Sequence, residues 1–292
     1  MISVVVPLYN EGGRARRLLS HLRALRGLAE AVVVDASDAA GSRAVVAELA
    51  AGLEMESVDK QRRWTPAVAG VAAGATGGEE KDARRPLNRL RAWQSGGDGA
   101  GVTAAAADDD AGPTIRFLRL DAPGRAAQMN AGAAACGGAV LLFLHCDTRL
   151  PGAAAARIRD AVNRGHKWGW FDLRLDARGP AYRILERMIC LRARASGIAT
   201  GDMALFVTRR AFLAAGGFAE IPLMEDVELS RRLKRLSRPA VINDPALTSA
   251  RRWQQNGLAR TVFLMWKLRF LHWRGRDPAR LAAVYDNVRD AN

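Results

Sequence analysis

Ala139-Val140-Leu141-Leu142-Phe143-Leu144-His145-Cys146-Asp147 decides the fold. Its first six residues are apolar and mostly strand-favouring, as a strand covered on both faces by helices must be. The run stops at His145-Cys146-Asp147, and the chain breaks at Pro151-Gly152. A carboxylate and an imidazole at the carboxyl end of a central parallel strand face the crevice in which open α/β sheets bind ligands. Both groups can ligate a divalent metal, the carboxylate favouring hard ions and the imidazole softer ones. The simpler alternative makes Asp147 the cap of a helix after Pro151.

Upstream, the same alternation repeats. Ile2 to Pro7 reads as a strand, and 14–26 as an amphipathic helix with Leu18, Leu19, Leu22 and Leu25 on one face. Ala31 to Val34 is a second buried strand, ending at Asp35, with a helix expected over 41–51. Strand, helix, strand, helix means right-handed crossovers and a mostly parallel sheet. From about 58 to 112 the rhythm fails in Gly- and Ala-rich sequence with an acidic run at 108–110, which reads as a low-complexity, disordered insertion, or as a partner-binding loop. The core resumes at Ile115 to Leu120. Downstream, a helix is expected over 152–164, a strand at 168–175, a helix at 181–195, a helix from Glu225-Asp226 to about Leu236 and a strand near 240–242.

With 292 residues, 49% hydrophobic and 25% charged, the chain has the make-up of a globular protein with ample length for a core. Three scattered cysteines make no disulfide framework or zinc cluster, which predicts a reducing compartment such as the cytoplasm. The start runs straight into a strand, so no signal peptide is expected, and no apolar run reaches the roughly 18 residues of a spanning helix. The net charge of +14 comes from Lys and Arg concentrated in the second half, which favours anionic partners. No Walker-type loop, no Gly-x-Gly-x-x-Gly after a strand and no Gly-x-Ser-x-Gly elbow is present.

Four acids fall where strands or loops meet the expected crevice: Asp35, Asp121, Asp147 and Asp226. Each alone can be a cap or turn residue. Together, at successive strand ends, the first three favour a nucleotide-diphosphate site with a divalent cation. Asp35 suits a ribose or base. Asp121 precedes Gly124-Arg125, where backbone amides and a guanidinium can approach an anion. Glu225-Asp226 opens a helix, where acids also serve the macrodipole, but a carboxylate there can accept a proton from a substrate hydroxyl.

The order Val4-Val5-Val6-Pro7-Leu8-Tyr9-Asn10-Glu11, Val34-Asp35-Ala36-Ser37, Gly124-Arg125-Ala126-Ala127-Gln128-Met129-Asn130, His145-Cys146-Asp147 and Glu225-Asp226 resembles a family 2 glycosyltransferase of GT-A fold. Phe143 to Thr148, Gly216-Gly217-Phe218, Met224 to Glu228 and Arg251-Arg252-Trp253 extend the likeness. They point to the bacterial-type subgroup associated with radical SAM and selenium-related domains, some of it assigned to arsenosugar biosynthesis.

The resemblance implies an α/β GT-A domain over 1–257. A nucleotide-sugar half at 1–150 holds the insertion, an acceptor half covers 151–257, and a basic helical tail follows at 258–292. It implies a nucleotide-diphosphate sugar donor and Mg2+ or Mn2+. The family's metal motif is Asp-x-Asp; here His145 stands for its first acid, leaving Asp147 and His145 as ligands. Pro7, Tyr9, Asn10, Glu11 and Asp35 would line the nucleoside pocket, while Arg125 and Asn130 face donor groups. Gly201-Asp202 matches the acceptor-side loop, with Glu225, Arg251, Arg252 and Trp253 on the acceptor or diphosphate side, and Asp226 is the implied base of an inverting transfer. The acceptor is a small molecule or is lipid-linked.

Two rivals remain: a nucleotidyltransferase, whose Gly-rich loop Asn10-Glu11-Gly12-Gly13-Arg14 matches poorly, and a nucleotide-sugar-binding protein that has lost catalysis. No nucleic-acid motif accompanies the positive charge, so no nucleic-acid partner is expected. In the tail, Leu258, Val262, Phe263, Trp266, Phe270 and Trp273 alternate with Arg260, Lys267, Arg269 and Arg274. That pattern suits peripheral membrane contact, or a core or dimer contact.

Overall fold

The computed structural model describes residues 1–51, 53–57, 112–121 and 123–290. The insertion expected over 58–112 lies outside the described residues, Gly112 excepted. The N-terminal half alternates as the apolar runs require: β1 (Ile2–Leu8), α1 (Gly12–Ala24), β2 (Glu30–Asp35), α2 (Ala40–Ala50), β3 (Glu54–Ser57), β4 (Thr114–Arg119) and α3 (Arg125–Ala135). Then come β5 (Val140–Phe143), β6 (Thr148–Arg149), α4 (Ala154–Asn163), β7 (Trp168–Leu175) and α5 (Pro180–Ser196). A 3-10 turn (Gly201–Met203) leads into β8 (Phe206–Thr208), α6 (Arg209–Ala214), α7 (Glu225–Leu236) and β9 (Ala240–Thr248). The chain ends in α8 (Arg251–Asn256), α9 (Leu258–Trp273) and α10 (Pro278–Asp290).

The described strands form one sheet in the order β3-β4-β2-β1-β5-β8-β7-β9-β6. From β3 to β5 every pair is parallel. β8 runs antiparallel to both β5 and β7, and β6 antiparallel to β9, while β7 and β9 are parallel. The stretch that opened the reading is thus the middle strand, and it lies where the uniform parallel block ends. Pro7, which cannot donate to a ladder, sits beyond the last β1–β5 pair, Val5 opposite Phe143.

The continuous apolar runs follow from burial on both faces. Val4, Val6, Ala31, Val33 and Leu142 pack under α1, α2 and α4, while Val5, Val32, Val34, Leu141 and Phe143 pack on the other side under α3 and α6. Removing each such Val or Leu side chain from water is worth about 1.5–3 kcal/mol. Helix α3 comes so close to the sheet that Gly132 has no room for a side chain: an added Cβ would strike Val5 and lie 2.9 Å from Val34 Cγ2.

Two alternatives left open by the residue pattern are decided by the packing. Asp147 does not cap the following helix, because α4 begins after Ala153 and has no side-chain cap. The segment from 258 onward does make a core contact, one of the roles its pattern left open: Leu268 of α9 is fully buried against Met224 and Leu281. One face of the tail, through Leu268, packs into the core, while the aromatic face stays exposed.

Gly132→Ala therefore overpacks the α3–sheet contact and should cost roughly 1–3 kcal/mol, read as a lower denaturation midpoint at unchanged slope. Unchanged stability would contradict the close approach.

Candidate active site

The carboxyl ends of the parallel strands deliver two neighbouring groups of polar side chains. The first is a shelf after β1 and β2. Asn10 takes a left-handed backbone (φ 53°), which Asn tolerates best among residues with a Cβ. Its amide NH2 donates to Asp38 Oδ1 at 2.7 Å, and its backbone N–H donates to Ser37 Oγ at 2.9 Å. Its Oδ1 in turn accepts the Ala39 N–H at 3.0 Å. The Tyr9 hydroxyl donates to Asp38 Oδ2 at 2.9 Å. These bonds from Asn10 and then Tyr9 hold the Asp38 carboxyl below its ordinary pKa. Asp35 is buried; its carboxylate is ion-paired with Arg119 and accepts the Ser37 hydroxyl at 2.6 Å, which fixes the floor of the shelf.

The second group lines a cavity of about 290 Å³. His145 and Asp147 reach it from the loop after β5, and Arg125 from the first turn of α3. Gly201 and Asp202 enter from the 3-10 turn, and Glu225 and Asp226 from the start of α7. The β9–α8 end supplies Arg251, Arg252 and Trp253. The β5 loop is held in place by β6 pairing with β9, by a 3.0 Å hydroxyl contact between Thr148 and Thr248, and by the Ser249 N–H donating to the Asp147 carbonyl at 3.2 Å.

Gly201 joins the two central candidates. Its N–H donates to Asp226 Oδ2 at 2.7 Å, while Oδ1 accepts the Val227 N–H at 2.7 Å. The carboxylate is thereby aimed by backbone on both sides, with lone pairs left for a ligand. An added Cβ on Gly201 would lie 2.5 Å from His145 Cε1, so the imidazole occupies the place of the missing side chain. Burial, then the charges of Arg125 and Arg252, holds His145 well below its ordinary pKa, and the ring is neutral at pH 7. The residue before the acidic pair, Met224, carries φ 70°, a strained conformation for a residue with a Cβ that marks the start of α7 as over-determined by its surroundings.

Glu225 is buried, with Arg125 Nη1 at 3.5 Å from its Oε1. Burial first, then the charge of Asp226, pushes its carboxyl from an ordinary 4.5 up to about 7, against the pull of Arg125. A carboxyl raised to about 7 in a cavity keeps a proton at hand near neutrality.

Other expected site residues lie elsewhere. Asn130 is buried and exchanges two 2.9 Å hydrogen bonds with the Phe218 backbone, bracing the 216–218 turn against α3 rather than facing the cavity. Asp121 is an exposed bend residue away from the cavity lining. Pro7, Tyr9, Asn10, Glu11 and Asp35 belong to the shelf; Glu11 links the two groups through Arg251 Nη2 at 3.8 Å.

The sequence reading missed Arg192 of α5 and Met265, Trp266 and Arg269 of α9, all of which line the cavity, and Tyr285 of α10, over which the Arg252 guanidinium stacks at 5.2 Å. Arg192 Nε and Nη2, Asp202 Oδ1 and His145 Nε2 are buried without a protein hydrogen-bond partner. Burial, then the charge of Arg269, lowers Arg192 to about 10, so it stays cationic. Orphaned polar atoms of both signs around one cavity suit a polar, charged ligand.

Among the described residues no group of three or more His, Cys, Asp or Glu converges as a ready metal site. The neutral, orphaned His145 Nε2 and the Asp147 carboxylate nonetheless line the same cavity, a nitrogen and an oxygen donor of the kinds that divalent ions take.

No protein-family model matches the chain, and no curated protein matches it in sequence. Solved structures match its fold. A mannosyltransferase of Pyrobaculum calidifontis, PcManGT, in complex with GDP-Man and Mn2+, superposes with a TM-score of 0.53 at 13% identity over 92% of this chain. S. aureus TarS 1-349 superposes with a TM-score of 0.50 at 13% identity over 85% of the chain. The chain spans 61% and 60% of those two structures' length. It has a GT-A-like fold.

The raised Glu225 carboxyl has a stability signature. Between pH 4.5 and about 7 the folded chain binds the extra proton, so stability falls as pH rises through that window. Glu225→Gln, always neutral, escapes the fall. Its melting temperature relative to wild type should climb from about pH 4.5 to about 7 and then level off; a flat difference would contradict a raised carboxyl.

Proposed function

We propose that the chain transfers a glycosyl group from a nucleotide-diphosphate sugar to an acceptor hydroxyl with inversion, as a member of family 2 and of its arsenosugar-type subgroup. One observation carries the reading: the Glu225–Asp226 acids, the arginines and the His145–Asp147 pair share one cavity at the carboxyl edge of the sheet. The fold supports it, and the Pyrobaculum neighbour carries GDP-Man and Mn2+.

In this reading the nucleoside rests on the shelf of Tyr9, Asn10 and the Ser37–Asp38 turn. Its diphosphate lies toward Arg125, Arg251 and Arg252, whose charges oppose those developing on the leaving group. Asp147 and His145 would hold a Mg2+ or Mn2+ ion, which when bound supplies Lewis-acid neutralisation of the diphosphate. Asp226, aimed by the Gly201 amide, takes the proton from the acceptor hydroxyl as its oxygen attacks the anomeric carbon and the diphosphate departs from the opposite face. Glu225, its carboxyl raised to about 7, carries a reduced negative charge beside that base near neutrality. Residues 1–150 form the donor half and 151–257 the acceptor half, where the acceptor enters between the 3-10 turn and α5.

Asp226→Asn is isosteric but can keep only one of the two backbone N–H bonds; the proposed donor contacts lie on other residues, so nucleotide-sugar affinity should hold while turnover drops roughly 10² to 10⁴-fold. Transfer at near wild-type rate would remove the base assignment. Asp147→Ala should leave the melting of the free chain nearly unchanged and abolish the part of nucleoside-diphosphate stabilisation that depends on Mg2+ or Mn2+. An equal metal response in both proteins would exclude the ligand role.

A further inference from the structure

Among the described residues no helix is long and apolar enough to cross a membrane. Two apolar stripes are nevertheless left in water on helices that border the cavity. On α9, Phe263, Trp266, Phe270 and Trp273 recur at i, i+3, i+7 and i+10, one narrow face, with Phe263 71% and Trp273 67% exposed. On α5, Ile184, Met188 and Leu191 recur at i, i+4 and i+7, with Leu191 64% exposed. The opposite faces of both helices are packed, through Leu268 on α9 and through Leu185 and Ala193 on α5. Both helices are therefore fixed, and the stripes are surface rather than core awaiting a fold. The stripes come together at the cavity, whose lining includes Met188 from one and Trp266 from the other.

Charge selects the occupant. Exposed Arg260, Lys267 and Arg274 run along one border of the α9 stripe, Arg269 lies on its other border, and α9 contains no acid. The one acid of α5, Glu186, is buried and paired with Arg183 at 2.7 Å. We propose that this face is a docking surface for an anionic lipid bilayer, with the aromatic stripe entering the headgroup boundary and the bordering cations meeting lipid phosphates. Aromatic residues flanked by Lys and Arg, on fixed helices that cannot span, are the composition of a chain that lies on a membrane. A second copy of the chain is the weaker occupant, because a twofold contact through α9 would set cations against cations with no acid on that helix to offset them. Docking there brings the cavity opening to headgroup level. The proposal stands on the surface alone and does not require the cavity to be catalytic.

The test is co-sedimentation of the full chain with phosphatidylcholine vesicles, with and without phosphatidylglycerol, at low and high salt. Wild type should pellet with the phosphatidylglycerol vesicles, weakly with phosphatidylcholine alone, and less at high salt. Phe263→Ser with Trp273→Ser, two exposed side chains outside the cavity lining, should weaken partition at least about tenfold with the melting temperature unchanged. Lys267→Glu with Arg274→Glu should remove the preference for the anionic lipid. The proposal is overturned if wild type stays in the supernatant with both vesicles, or if the aromatic double variant pellets as wild type does. Concentration-dependent self-association that the aromatic variant loses, without vesicle binding, would overturn it in favour of a second copy.

Discussion

Gly201 contributes one backbone amide and no side chain, and the cleft depends on both. The amide fixes Asp226 at 2.7 Å, and the absent Cβ leaves the space that His145 fills. Two residues from distant parts of the chain, one at the end of the middle strand and one at the start of α7, are thereby held against the same turn. Any side chain at 201 would have to displace the imidazole or tilt the turn, and a tilted turn would move the amide that holds Asp226. The site is set by a small piece of backbone geometry more than by a strong individual interaction.

That geometry works because the sheet brings its polar ends to one edge. The parallel block from β3 to β5 places the Asn10 turn and the Ser37–Asp38 turn side by side, and the change of direction at β8 lets the second half fold back over the end of β5. The two groups of polar residues are stitched where Arg251 meets Glu11, and the cavity group is tied within itself where Arg125 meets Glu225. Strain is concentrated at the same places: Asn10 and Met224 both adopt left-handed backbone next to residues assigned to ligand contact. Such conformations persist only where the neighbours over-determine them, which here are the Ser37–Ala39 hydrogen bonds and the packing of Met224 against Leu268 and Leu281.

The strands were legible because burial on both faces leaves an unbroken apolar run, and the run at 140–144 needed no other signal. That His145, Asp147, Glu225 and Asp226 gather at one cavity was legible too, since each stands where an apolar element gives way to a polar end. Arg192 was not: it lies inside an amphipathic helix among Arg187 and Arg194, and nothing local distinguishes the arginine that turns inward. Asn130 misled for the opposite reason. A polar residue on a small-residue helix beside an expected site suggests a ligand, but its two bonds to the Phe218 backbone show a brace whose partner is 88 residues away in sequence. The tail was half legible: its aromatic and cationic pattern predicted an interface, but that its other face carries Leu268 into the core follows only from the placement of α7 and α10.

Glycosyl transfer requires a cleft that binds a nucleotide sugar, and ligand-dependent melting of the full chain tests that most directly. UDP-, GDP- and dTDP-sugars titrated with and without Mg2+ or Mn2+ should include at least one donor that raises the melting temperature in a saturable way, with free sugar giving no effect. Binding to the folded state alone stabilises by about 2.7 kcal/mol at a hundredfold excess over Kd, well within reach of such a scan. If no nucleotide sugar moves the melt at millimolar concentration, with metal or without, the cleft does not bind a donor and the glycosyl-transfer account is wrong.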